Sequence, residues 1–227
     1  MKALRATLSA FALFLLGAPS LQATTVASNL DRPYVGFYRS VTSGEWAATS
    51  FTTGNQPAVL HAASLELFAQ GGTATFVLDL RQNAIAFPGT ELGQFLNTPS
   101  TSSSSAVLLT FASAFTLQPN TTYWLALTAT SGTGAWLQTS VGPPDTWAIN
   151  ALAYSPDDGT AWEGPFAQAG YLSLEATIIP EPSACALLGA ATAGLACVRR
   201  KLRRSAAPAA GKRKKGSDHS LVRFPHR

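Results

Sequence analysis

Between Thr24 and Thr177, the residue types that could do chemistry are one histidine, a pair of adjacent aspartates and five tryptophans. A Ser/His/Asp triad would have to be built on His61, the only imidazole there. No Gly-x-Ser-x-Gly elbow accompanies it, and its neighbours Val59 and Leu60 place it at the start of a strand. A packed or surface histidine is therefore expected rather than a catalytic base. One histidine without cysteine would leave a zinc site to be made wholly of carboxylates, so no metal is assigned. Asp157-Asp158-Gly159, behind Pro156, could offer oxygens to calcium with Asp145 or Glu163. A tight turn uses the same residues and is the expectation. Nor does the carboxylate spacing place two groups across a cleft, as a glycosidase needs. Catalytic residues and cofactors: none.

The tryptophans are Trp46, Trp124, Trp136, Trp147 and Trp162. Trp136, Trp147 and Trp162 lie among Gly, Pro, Asp and Ser, which suggests loops, and exposed loop aromatics can stack on sugars. Core packing is the expectation, and stacking on a carbohydrate such as an exopolysaccharide is the alternative. Asn120-Thr121-Thr122 matches a glycosylation sequon, but after Pro119 it reads as turn chemistry.

The elements that must position these residues read as strands. Short alternating runs rich in β-branched and aromatic residues, separated by Gly, Pro, Asn and Ser, predict an all-β, antiparallel, jelly-roll-like β-sandwich over residues 24–178. Leu65, Leu67 and Ala69 alternate with Glu66, Phe68 and Gln70, and beyond Gly71-Gly72 Phe76, Leu78 and Leu80 alternate with Val77, Asp79 and Arg81. The expectation is a hairpin with a glycine turn. A second strand pair is expected from Ala106–Leu117 and Thr122–Thr130, joined at Gln118-Pro119-Asn120, with a polar loop over Thr98–Ser105 before it. Leu172, Leu174 and Ala176 mark a closing strand, and no stretch of this region has a helical period.

Charge is segregated along the chain. Residues 24–198 hold three bases (Arg32, Arg39, Arg81) against eleven acids, a net of −8, whereas residues 199–227 hold eleven bases against Asp218, a net of +10. The positive charge follows directly on an apolar segment, where it acts as a topology signal, so nucleic acid is not expected as a partner. Both cysteines, Cys185 and Cys197, fall in that segment, and the region before it has no thiol chemistry. Twelve residues apart on a helix, they would be separated by about 18 Å and could not bridge within one chain.

The two ends read as processing segments. Lys2 and Arg5, the apolar run Leu8–Leu16 and the small residues leading to Ala23 have the order of a secretory signal, with cleavage expected between Ala23 and Thr24. At the other end come Pro180-Glu181-Pro182, an uncharged stretch at 183–198, and the basic cluster Arg199, Arg200, Lys201, Arg203 and Arg204. Sixteen helical residues span about 24 Å, short of the roughly 30 Å hydrocarbon core, which predicts a weak transmembrane anchor with its basic end cytoplasmic. Residues 205–227 are expected to be a basic, disordered cytoplasmic tail.

Pro-Glu-Pro, apolar helix and basic cluster, in that order over 179–204, resemble the PEP-CTERM sorting signal. The resemblance implies an exosortase as partner, a membrane protease-transpeptidase for which this chain would be substrate. The family usually stops soon after its arginines, and here Lys212-Arg213-Lys214-Lys215 follows. A second resemblance is carried by Ala48-Thr49-Ser50-Phe51-Thr52-Thr53-Gly54 after Trp46, by Ser64-Leu65-Glu66-Leu67, and by the run from Leu117 to Leu127. These blocks resemble the choice-of-anchor R domain of bacterial exported proteins, which implies a β-sandwich and no catalytic residues. The expected function is a non-enzymatic surface or extracellular-matrix protein. It would pass the secretion translocon, be held transiently in the inner membrane, and end at the cell surface. The alternatives are a carbohydrate-binding module or weak glycan hydrolase, and a simple single-span membrane-anchored protein.

Overall fold

The computed structural model describes residues 22–141 and 146–180. In chain order the strands are β1 (Thr24–Ser28), β2 (Tyr34–Val41), β3 (Trp46–Thr52), β4 (Ala58–Ala69), β5 (Ala74–Ala84), β6 (Phe87–Gln94) and β7 (Ser100–Thr101). They continue with β8 (Val107–Leu117), β9 (Thr122–Ser131), β10 (Gly134–Ser140), β11 (Ala148–Ser155), β12 (Glu163–Phe166), β13 (Gln168–Gly170) and β14 (Leu172–Ile178). All pairings are antiparallel, and the described residues contain no helix.

The strands divide into two sheets. In the first, β8 pairs along one edge of β4, and β14 and then β10 pair along the other; β1 extends β14, while β2 and β13 extend β10. The second runs β12-β11-β3-β9-β5-β6, with β7 also on β5. One path through the first sheet, β2-β10-β4-β8, faces β3-β9-β5-β6 of the other, with β14 sharing the β10 side of β4.

Both expected hairpins fail. β4 belongs to the first sheet and β5 to the second, so Gly71-Gly72 lies in a connection that crosses between sheets. Likewise β8 is in the first sheet and β9 in the second, and the Gln118-Pro119-Asn120 turn is a corner. The strands themselves lie where expected, the polar loop containing only the two-residue β7. A local hairpin forms elsewhere, between β5 and β6, where Ile85 and Ala86 take φ of 49° and 71° in the turn. That twist suits a two-residue β-turn, although such positions usually carry Asn or Gly.

The core fills the space between the sheets. From the first come Leu60, Leu65, Leu67, Phe111 and Trp136; from the second, Phe51, Phe76, Leu78, Leu125 and Leu127, all fully buried. Each such side chain contributes about 1.5–3 kcal/mol by leaving water. Along β4 the buried set is Ala58 and Leu60, then Ala63, Leu65, Leu67 and Ala69. The phase change falls at His61, where the register against both β14 and β8 shifts. An irregularity there restores the inward direction to the second half of a long strand.

Candidate functional site

The centre of the second sheet is buried on both sides. In β9 every residue from Tyr123 to Ala129 is buried, and in β3 every residue from Ala47 to Phe51, where a simple sandwich would alternate. On the outer side Ala48 stands in register with Ala126 and Ala153, and all three are fully buried. Small side chains leave room for rings above them. Trp124 joins this cluster, and the partly buried Trp46, Phe87 and Trp162 pack against it. Trp124 Nε1 donates to Asn83 Oδ1 at 2.9 Å, and Trp46 Nε1 to the carbonyl of Ser43 at 3.1 Å.

Two charged side chains border this aromatic face. Asp79 stands between Ala126 and Gln94, and Arg81 between Trp124 and Glu91. The Arg81 guanidinium lies 5.0 Å from the Trp46 ring centroid, a cation–π contact, and its Nη2 is 3.7 Å from Asp79 Oδ2. Gln94 Nε2 donates to Asp79 Oδ1 at 3.3 Å, whereas Arg81 Nε is buried without a partner among the described residues. Burial raises the Asp79 carboxyl above its ordinary pKa and the nearby Glu91 charge adds to this, outweighing Gln94 and Arg81. With Asp79 only 3% exposed, the pair is a polar anchor within the face rather than a carboxyl open to substrate. In the sequence Asp79 and Arg81 read only as the polar side of a strand; their sole signal was opposite charges two residues apart.

The sequence-predicted site residues scatter. Trp136 lies in β10 with no exposure and donates from Nε1 to the Tyr171 carbonyl at 3.0 Å. Trp147 is buried and stacked on Phe51, ring centroids 5.7 Å apart and planes within 7°. Neither can offer a face to a sugar, which removes them from the stacking set because both fill the core. Trp162 is half-buried against Ala48, Trp124, Ala126 and Ala153. His61 is half-buried, with Nε2 2.8 Å from Thr177 Oγ1.

Asp157 is committed to its own turn. Its Oδ1 accepts from Ser155 Oγ at 2.8 Å and from the Ala161 amide at 2.9 Å. These bonds, the Ala161 amide foremost, hold its carboxyl below the ordinary range. Asp158 and Gly159 take φ of 56° and 75°, as the turn requires. Among the described residues no three His, Cys, Asp or Glu side chains gather as a metal site; Asp145 lies outside those residues.

Of the processing residues, Ala23 is exposed, Thr24 opens β1, and Pro180 is exposed after β14. The signal segment up to residue 21, Glu181, Pro182, the predicted anchor 183–198, the cluster from Arg199 to Arg204 and the tail 205–227 lie outside the described residues.

No family model matches the chain, and no curated protein matches it. Among solved structures, a similar chain occurs in a structure of the infectious bursal disease virus Gx strain. It is 13% identical, with a TM-score of 0.30, over 71% of this chain and 43% of that one.

Proposed function

We propose that this chain is an exported, non-enzymatic surface or extracellular-matrix protein. In this reading its first 23 residues direct it through the translocon, and its C-terminal signal passes it to an exosortase. One relationship supports it: Thr24 pairs with Ala176, so the start of β1 and the end of β14 lie side by side at one end of the first sheet. The last backbone bond before Pro180 is donated by the Ile179 amide to the Pro57 carbonyl at 2.8 Å. Beyond it, Pro180 denies the ladder a donor, so strand pairing ends before the Pro-Glu-Pro that a protease would grip. Cutting at either end would leave both strands in place, so the domain would survive its own processing.

The facing orders β2-β10-β4-β8 and β3-β9-β5-β6 support the finer reading of the sandwich as a jelly roll. The C-terminal division of labour is physical: the short apolar stretch at 183–198 would give marginal membrane affinity. Each cation at 199–204 resists transfer through hydrocarbon by roughly 2.5–3.5 kcal/mol. The test replaces Pro180, Glu181 and Pro182 with alanine and follows the Lys212–Lys215 tail by immunoblot. The wild type should lose the tail on its way to the surface, while the variant should keep it and accumulate in the inner membrane. A wild-type surface protein that retains the tail would reduce the segment to an ordinary single-span anchor.

A further inference from the structure

A cleft of about 580 Å³ opens at the β8–β9 corner, lined by Gln82, Asn83, Leu92, Gln118, Asn120, Tyr123 and three threonines. Its volume falls within the roughly 300–1,000 Å³ of small-ligand sites. We infer that this cleft binds a short segment of a neutral glycan.

The turn that builds one wall is held by its backbone. Thr53 Oγ1 donates to the Gln118 carbonyl at 2.7 Å and receives the Thr121 amide at 2.9 Å. The Asn120 amide donates to the Gly54 carbonyl at 2.8 Å, and the Gln118 amide to Tyr123 Oη at 3.0 Å. Asn120 is thereby held at φ 49°. With the main chain so engaged, the side-chain amides of Gln82, Gln118 and Asn120 make no hydrogen bond among the described residues. Asn83 uses only its carbonyl oxygen, toward Trp124. The fixed backbone loses little main-chain freedom when a ligand binds, while the uncommitted amides are free to pair with it at an ordering cost of about 0.5–1.5 kcal/mol each.

The lining chooses the ligand. A planar amide presents a donor and an acceptor side by side, which matches adjacent sugar hydroxyls. Apolar contact for a sugar ring is confined to Leu92, 42% exposed, because the Tyr123 ring is buried against Phe51 and contributes only its rim. A lipid would need a mainly apolar lining. No lining residue is charged, and residues 24–198 carry a net of −8, so an anionic polymer would meet repulsion without a counter-charge. The site is separate from the tryptophans that the sequence suggested for stacking, and it stands whether or not the C-terminus is processed.

The test uses the full chain in a sugar-free detergent. Saturation-transfer NMR would be run with cellohexaose, maltohexaose and mannohexaose, with hexaguluronate as the anionic probe and an Ala/Thr/Gly hexapeptide as the peptide probe. At least one neutral hexamer should show transfer and titrate with Kd of about 0.1–1 mM. Gln118→Ala with Asn120→Gly, which keeps the positive φ, should weaken it by about tenfold or more. Gln82→Ala, at a side chain with no internal bond, should weaken it without touching the turn, and Asp157→Ala should leave it unchanged. Near-UV dichroism would check folding. The inference falls if no neutral hexamer binds, if only the anionic hexamer or the peptide binds, or if folded variants bind as the wild type does.

Discussion

The Trp136 indole occupies the space beside Gly170 so closely that a Cβ at that position would overlap its ring. The contact joins β10 to β13, whose pairing runs from Gln138↔Gly170 to Ser140↔Gln168, and both residues are fully buried. Gly170 also donates its amide to Thr49 Oγ1 at 2.9 Å, tying the first sheet to the second. Gly170→Ala should therefore cost about 1–3 kcal/mol by overpacking, read from urea unfolding of the full chain. Gly44→Ala, where a Cβ would meet only Asp158 Oδ1 at 3.5 Å, should cost far less. Equal losses at the two glycines would remove the indole as the cause.

Thr53 should be the keystone of the β8–β9 corner. It is 4% exposed, and its hydroxyl donates to the Gln118 and Thr121 carbonyls at 2.7 and 3.2 Å while accepting the Thr121 amide at 2.9 Å. Thr53→Val keeps the shape and orphans the Gln118 carbonyl and the Thr121 amide, while the Thr121 carbonyl keeps the Thr53 amide at 3.1 Å, for an expected loss of about 1–3 kcal/mol. Thr53→Ser, which keeps the hydroxyl, should recover most of it. A serine variant as unstable as valine would mean that the methyl group, rather than the bonds, matters.

The two carboxyls with opposite shifts, Asp79 and Asp157, should respond to pH in opposite senses. For Asp79 the folded pKa lies above the ordinary 3.8, so its ionisation disfavours the folded state as pH rises through the folded value. Asp79→Asn should make the protein more stable at pH 7, with the gain vanishing below pH 3.8. For Asp157 the folded pKa lies below 3.8, so its contribution is present above that value and lost as pH falls through the folded one. Asp157→Asn should therefore destabilise at pH 7 and converge on wild type in acid. Unfolding curves at several pH values decide both, and a gain from Asp79→Asn that persists in acid would contradict the burial argument.

Export should leave an N-terminus at or within about three residues of Thr24, because the charged, apolar and small-residue order ends at Ala23. β1 begins at Thr24 and pairs at once with Ala176. Intact-mass measurement of the envelope protein checks this, and an unprocessed Met1 there would refute it. Deleting residues 24–28 from the mature chain should expose the edge of β14, raising its tendency to aggregate.

How much was legible can be read from Leu67 and Phe76. Both belong to alternating runs, and the alternation placed both in the core, where they are fully buried. It also placed the strands of the two expected pairs and the closing run at Leu172, while residue type gave the Asp157-Asp158-Gly159 turn. What alternation cannot carry is the identity of the neighbour. Two strands side by side in one sheet and two strands facing across a core show the same two-residue period, so β4 and β5 read as a hairpin when they stand in opposite sheets. The same ambiguity hid the separation of β8 from β9.

The candidate surfaces were less legible still. Trp136 and Trp147 have loop-like neighbours in sequence, yet both are core residues, because burial depends on which strand lies opposite. Asp79 and Arg81 gained significance only when cross-strand pairing set them beside Gln94, Trp124 and Glu91. The cleft draws Gln82, Leu92 and Asn120 from three separate stretches of chain. Composition and period determined the all-β class, the segregated charge and the inward faces, since each depends on local residue type alone. Sheet membership, the outer aromatic face and the cleft were decided by tertiary structure, since each arises from long-range pairing that local pattern leaves degenerate.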